Sequence, residues 1–174
     1  RNDYAALVAL AAECDFNLLR AWGGGRWEDH AFFDACDRLG ILVWNDLPFA
    51  CCQYPGDDPA FCAEVEREVR HNVRELSRHP SLALWCGNNE HELGLADGWI
   101  VGRDPAARPD RALSFELLPR VMAAEDCSRP YWPTSPWSPD GSHPNAQHTG
   151  VQHPGNIGLG PAKGDFWQYR DDVS

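Results

Sequence analysis

Residues 79–90 read HPSLALWCGNNE, and the architecture of the chain is written there in small. Pro80 ends the helix before it, because the residue preceding a proline is pushed out of helical geometry. Residues 82–87 are then apolar without alternation, as a parallel strand covered on both faces should be. The run stops at Asn88, Asn89 and Glu90, so a buried strand delivers two amides and a carboxylate at its C-terminal end.

The same unit recurs on either side. Upstream, residues 41–46 (ILVWND) are apolar until Asn45 and Asp46, and residues 16–22 (FNLLRAW) run into Gly23-Gly24-Gly25. Downstream, residues 131–135 (YWPTS) form a fourth candidate strand. A first helix follows Asn2 and Asp3, with Leu7, Leu10, Ala11 and Cys14 along one face. A second is capped by Asp29, carries Phe32, Phe33, Cys36 and Leu39, and ends at Gly40. A third has Asp58 as cap, Pro59 at its first position and a core stripe of Phe61, Val65, Val69, Val73 and Leu76. A fourth spans about residues 114–126, where Pro119 is tolerated only near a first turn, whose amides are unpaired anyway. Residues 96–110 and 136–163 are rich in Gly, Pro and polar side chains and read as loops.

Helices alternating with short apolar strands imply an α/β fold with parallel strands. An open doubly wound sheet places its ligand at a switch point, often beside a glycine-rich phosphate loop. A closed barrel places its functional groups at the C-terminal ends of successive strands. Here Trp22, then Asn45 and Asp46, then Asn89 and Glu90, then Trp132 and Ser135 follow strand after strand, which favours the barrel. Gly23-Gly24-Gly25 has neither the Lys-Ser/Thr of a P-loop nor a dinucleotide spacing, and reads as a close backbone approach.

Composition narrows the function. The 174 residues hold 15 Lys plus Arg against 26 Asp plus Glu, a net charge of −11 that disfavours nucleic acid as a partner. No apolar run approaches the ~20 residues of a membrane-spanning helix, so no membrane partner is expected. Seven cysteines, at 14, 36, 51, 52, 62, 86 and 127, are odd in number and form no C-x-x-C pair. Buried thiols explain them better than disulfides or zinc, and favour a cytoplasmic over a secreted setting. His91, His143, His148 and His153 lack ligand spacing, so neither a metal nor another cofactor is expected.

Glu90 is the leading candidate for chemistry, since a carboxyl in a strand-end pocket can be tuned to act as an acid near neutrality. The alternative is a surface glutamate or a helix cap. Asn89 offers donors and an acceptor beside it for a hydroxyl-rich ligand. Arg20, inside an apolar strand, requires a carboxylate partner when buried. Cys51 and Trp132 join the candidate lining of the pocket, while Trp44 and Trp85 belong to the wall.

The stretch RAWGGGRWEDHAFFDACDRLGILVWNDLPFACCQYP, followed by HPSLALWCGNNE, resembles the catalytic domain of glycoside hydrolase family 2, in its β-mannosidase branch. The likeness runs from the first helix to RPYWPTSP. It implies a segment of a (β/α)8 TIM barrel, from about the first helix through the fifth or sixth strand, since such a barrel needs roughly 250 residues. Residues 1–174 would be part of one catalytic domain, with residues 136–163 a long loop on the active-site side. The remaining barrel and accessory β-sandwich domains of a parent chain would be its partners.

By the same resemblance Glu90 is the general acid/base, Asn89 the partner of the sugar's 2-hydroxyl, and Trp22 part of the terminal-sugar subsite. Asp46 accepts bonds from sugar hydroxyls; Arg20, by its place in an apolar strand rather than by the resemblance, is expected to hold Glu90 or the nucleophile, a surface arginine being the alternative. The implied substrate is a β-linked mannoside or related oligosaccharide, cleaved from its non-reducing end with retention. Exo-β-glucosaminidase, β-galactosidase and a non-catalytic carbohydrate-binding fragment are the alternatives. The family's nucleophile lies in a Ser-Glu-Phe-Gly-like stretch, and residues 91–174 contain none. Where the family has Gly-Asp-x-His, this chain has Gly164-Asp165-Phe166-Trp167.

Overall fold

The computed structural model describes residues 3–100 and 108–137. In chain order these form α1 (Tyr4–Glu13), β1 (Leu18–Ala21), α2 (His30–Leu39), β2 (Leu42–Asp46), α3 (Pro59–Leu76), β3 (Leu82–Cys86) and α4 (His91–Ala96). Then follow α5 (Pro109–Arg111), a π-helical turn (Ala112–Leu117), α6 (Leu118–Glu125) and β4 (Tyr131–Trp132). The sheet order is β1-β2-β3-β4, all parallel. Each strand thus lies beside its neighbour in sequence, with no reversal of order among the described strands. That winding is the one of a barrel, and the four strands are an arc of it.

Helix ends follow local chemistry. Asp29 accepts from Ala31 N at 2.9 Å and Asp58 from Ala60 N at 2.8 Å, each satisfying an amide that has no partner inside its helix. Gly40 ends α2 at φ 69°, a left-handed conformation that any Cβ would resist. Phe33, Cys36, Val43, Val69, Val73, Leu82 and Trp85 then meet in one core between the sheet and the helices.

Several expectations are corrected. On α1 the inward residue is Val8, with Tyr4, Ala11 and Ala12 packed beside it, while Leu7 and Leu10 are exposed. Both stripes have helical spacing, and Tyr4 packing on the Phe32 ring at 5.7 Å decides between them. Leu39 is likewise exposed, with Ala35 buried in the α2 stripe instead. Of the cysteines expected to be buried, Cys36 and Cys86 are, Cys62 is half-buried, and Cys14, Cys51, Cys52 and Cys127 are exposed, all of them as free thiols. The apolar neighbours that suggested burial belong to helix faces and turns whose cysteine positions point outward.

The stretch read as a loop from residue 96 to 110 is partly helical. Residues 91–96 form α4, and Pro109, at the first position of α5, starts the fourth helical segment five residues earlier than expected. Pro119 falls in the opening turn of α6, as expected, and the π-helical turn Ala112–Leu117 runs directly into that helix. A wider turn of this kind absorbs the hydrogen-bond mismatch that a proline without an N–H creates. Residues 101–107 and 138–174, which include His143, His148, His153 and Trp167, lie outside the described residues.

At the N-terminal end of the sheet a directed chain of hydrogen bonds ties α2 to the turn before β3. Arg78 Nη2, a donor only, reaches His30 Nε2 at 3.0 Å, His30 Nδ1 lies 2.9 Å from His79 Nε2, and His79 Nδ1 lies 2.7 Å from Asp37 Oδ2. Asp37 Oδ1 accepts from Ser81 N at 2.8 Å. The bonds from Ser81 and His79 hold the Asp37 carboxyl below its ordinary pKa against the opposing effect of burial. A depressed carboxylate contributes stability above its unfolded pKa and loses it as pH falls through the folded one. Asp37→Asn is therefore expected to lower stability by about 1–2 kcal/mol at pH 7. The difference from wild type should shrink as the solution is acidified below the ordinary carboxylate range. Urea unfolding of the intact protein at pH 7 and at pH 3 measures both, and an unchanged midpoint at pH 7 would remove the chain of bonds from the account.

Candidate active site

The loops after three successive strands continue the parallel pairing beyond the sheet proper. Isolated bridges join Ala50 to Asn89 and Asn89 to Ser135. Asn89 N donates to Phe49 O at 2.9 Å, Cys51 N to Asn89 O at 2.9 Å, and Glu90 N to Ser135 O at 2.8 Å. The backbone that carries Asn89 and Glu90 is thus strapped on both sides, which is how loop residues acquire the precision of strand residues.

Beneath these straps lies a charged network. Arg20 projects from β1, with its guanidinium carbon 4.5 Å from the centroid of the Trp44 ring. Arg20 Nη2 donates to Asp46 Oδ2 at 2.7 Å and to Asn89 Oδ1 at 2.9 Å. The carboxylate that Arg20 requires is therefore supplied by Asp46. The Asp46 side chain has no exposure. Besides Arg20 it accepts from Gly23 N at 3.0 Å and from Trp44 Nε1 at 2.8 Å. With both oxygens engaged inside the protein, Asp46 serves as a strut between Arg20, Trp44 and the Gly23 turn.

Gly23 explains part of the glycine run. A Cβ there would stand 2.6 Å from Phe49 O and 2.7 Å from Leu47 O, so the chain passes the β2 end only without a side chain. The turn leaves the Trp22 ring 53% exposed at the strand end, available to a ligand as an apolar face. Trp132, half-buried, packs edge-on against Trp137 at 5.3 Å, and Trp137 in turn meets Phe115 at 5.3 Å. Trp85 is fully buried, and its Nε1 donates to Asp126 Oδ2 at 2.9 Å.

Glu90 stands at φ 65° in the left-handed region, and Cys51 across from it at φ 52°. Positive φ at side-chain-bearing residues is strained and clusters at functional sites. Cys51 Sγ lies 3.4 Å from Glu90 Oε2 and 3.2 Å from Asn89 Nδ2. Burial first, and then the Glu90 carboxylate, hold the Cys51 thiol above its ordinary pKa despite the Asn89 bond.

His91 is buried against the Tyr54 ring at 5.3 Å, and burial, with Arg108 near, pushes its pKa down to about 3. It is a neutral packing group here and not part of a metal set with Glu90 and Glu92. Among the described residues the group that brings metal-type ligands together is Asp34, Asp37 and His79, at the opposite end of the sheet. Both ring nitrogens of His79 are committed there to Asp37 and His30.

One hub was missed from sequence. Asn88, fully buried, donates to Ser114 Oγ at 2.8 Å and Pro133 O at 3.2 Å, and its Oδ1 accepts from Thr134 Oγ1 and from His91 N. It accepts the first amide of α4 and fixes the segment after β4 to the end of β3. An asparagine three residues before a helix start was the available signal.

No protein-family model matches the chain. The chain is 41% identical over 150 residues to beta-mannosidase B of Thermothelomyces thermophilus, a match covering 79% of this chain and 17% of the relative. It is 40% identical over 134 residues to the beta-mannosidase of Mus musculus, covering 75% of this chain and 15% of that one. Its structure is similar to the crystal structure of the beta-D-mannosidase from Dictyoglomus thermophilum, with TM-score 0.79 and 41% identity over 87% of this chain and 18% of that one. The chain thus spans under a fifth of the length of the relatives it matches.

The strut makes a direct prediction. Asp46→Ala leaves a largely buried guanidinium without its carboxylate, a loss of about 3–5 kcal/mol when such a pair is broken. Urea unfolding of the intact protein should show that drop. A stability within 1 kcal/mol of wild type, about the worth of an exposed pair, would mean that Arg20 is solvated instead.

Proposed function

The chain being homologous to one segment of the β-mannosidases of glycoside hydrolase family 2, we propose that it is the acid/base-bearing segment of a retaining exo-β-mannosidase. The parent enzyme removes terminal β-linked mannose from the non-reducing end of its substrate. The observation that carries this reading is Glu90: a carboxylate at the end of a barrel strand, held at positive φ by straps to the strand ends on either side.

In a retaining glycosidase two carboxyl groups stand about 5–5.5 Å apart, one as nucleophile and one as acid and then base. Glu90 takes the second role. As a carboxylic acid it gives its proton to the glycosidic oxygen while the bond to the sugar breaks. As a carboxylate it then takes a proton from the water that releases the sugar from the nucleophile. The nucleophile must come from outside residues 91–174, where no Ser-Glu-Phe-Gly-like stretch occurs. A later barrel strand of a parent chain would supply it, with accessory β-sandwich domains as further partners of this segment.

Asn89 supports the glycone side. Its Oδ1 is engaged by Arg20 and one amide hydrogen by Cys51, which leaves a second amide hydrogen for the sugar's 2-hydroxyl. Trp22 offers a flat ring to the C–H face of a pyranose, and Trp132 lies at the neighbouring strand end. A site of this kind needs neither metal nor organic cofactor, because carboxylates, amides and rings supply all the interactions it uses.

In the enzyme that contains this chain, Glu90→Ala should reduce turnover of an alkyl β-mannoside by about 100- to 10,000-fold. It should affect an activated aryl β-mannoside far less and be partly rescued by azide. Unchanged turnover of the alkyl substrate would take the acid/base role from Glu90. Residues 1–174 alone should not hydrolyse p-nitrophenyl β-mannoside, and release of nitrophenolate by that polypeptide would place a nucleophile within it.

A further inference from the structure

We propose that Cys51 is a positioning residue for Glu90, whose thiol hydrogen bond selects Oε1 as the oxygen that carries the acid's proton. The inference rests on the acid/base role given to Glu90 above and adds to it which oxygen acts and what holds it.

The directions of the bonds lead there one at a time. Arg20 has only donors, so the atom of Asn89 that it meets at 2.9 Å is the amide oxygen. The amide nitrogen of Asn89 then faces Cys51 Sγ at 3.2 Å and donates to it. With its sulfur accepting from Asn89, the thiol directs its proton to Glu90 Oε2, 3.4 Å away. A carboxylic acid receives such a bond on its carbonyl-like oxygen, and its own proton then sits on the other one. When the acid reacts, the Oε1–H bond breaks, the proton passes to the glycosidic oxygen, and the electron pair stays on the carboxylate, which the thiol still contacts through Oε2. The thiol keeps its own proton throughout.

The backbone is arranged for this contact. Cys51 and Glu90 are both held at positive φ, and Cys51 N donates to Asn89 O at 2.9 Å, so the two side chains are presented to each other across a single peptide unit. Cys52, next along the chain and also exposed, turns away, and its Sγ bonds to Gln53 O at 3.4 Å. The pair Cys51-Cys52 is therefore one functional thiol and one bystander.

Two measurements on the enzyme that contains this chain test the proposal. In Cys51→Ala, kcat/KM for an alkyl β-mannoside should fall about tenfold, a loss of about 1.4 kcal/mol in transition-state stabilisation. An activated aryl β-mannoside should change less than threefold in the same variant. The alkaline limb of kcat/KM should move to higher pH, because the lost donor favoured the carboxylate, and Cys51→Ser should restore most of both effects. Equal losses on the two substrates, or an unmoved alkaline limb, would reduce Cys51 to a packing role and overturn the proposal.

The second measurement needs no turnover. Iodoacetamide labelling followed by mass spectrometry should show Cys51 alkylated several-fold faster at pH 7.5 in Glu90→Gln than in wild type, with Cys52 unchanged. Equal rates at Cys51 would mean that the thiol and the carboxylate do not meet. Retained alkyl-mannoside turnover in Glu90→Ala alongside faster labelling in Glu90→Gln would instead overturn the acid/base reading while leaving the contact in place.

Discussion

The Asp46 carboxylate, fully buried and bonded to the Arg20 guanidinium, is the interaction on which the rest of the strand-end geometry depends. A buried ion pair is weak evidence of stabilisation, since the loss of hydration roughly offsets the attraction. Its consequence is orientation. Arg20 is on β1, Asp46 closes β2, and Asn89 follows β3, so one guanidinium sets the register of three neighbouring strand ends. Gly23 N, bonded to the same carboxylate, places the turn that presents Trp22. Four features of the site are fixed by one charge pair.

The sheet explains why such a network can exist. Parallel strands in sequential order bring the C-terminal ends of β1, β2, β3 and β4 to one edge, and each following loop starts from a position set by the strand before it. The isolated bridges from Ala50 to Asn89 and on to Ser135 carry that order one step beyond the strands. A doubly wound sheet would have reversed the strand order at a switch point, and the four strand ends would then not follow one another along a single edge.

Much of this was legible in the chain itself because the deciding signals are local. Proline at 80, glycine at 40, the Asp29 and Asp58 caps and the apolar runs each act within a few residues. The positions of Trp22, Asn89 and Glu90 at strand ends followed directly. What the sequence hid depends on contacts between distant segments. Whether α1 turns Leu7 or Val8 inward is decided by α2, and whether Cys51 is buried is decided by its turn. The role of Asp46 could not be read at all without the burial of its side chain, since an Asp at a strand end looks the same whether it faces a ligand or an arginine. The π-helical turn before Pro119 was hidden for a related reason, because the wider turn depends on the packing around it as much as on the proline.

Strain at the site follows from the same arrangement. A non-glycine residue at positive φ is held there only when its surroundings over-determine it, at about 1–3 kcal/mol each. Cys51 and Glu90 are two such residues facing each other, and both peptides are fastened to Asn89 or Ser135. Relaxing either would break a strap and release Asn89, whose amide is also held by Arg20. The stability needed to keep both residues in place is therefore drawn from the core under the sheet, where Val43, Val69, Val73 and Trp85 are buried completely. Glu90 is aimed by packing that lies a full layer away from it, which is why the buried pair beneath the strands matters more to the chemistry than the exposed residues around its rim.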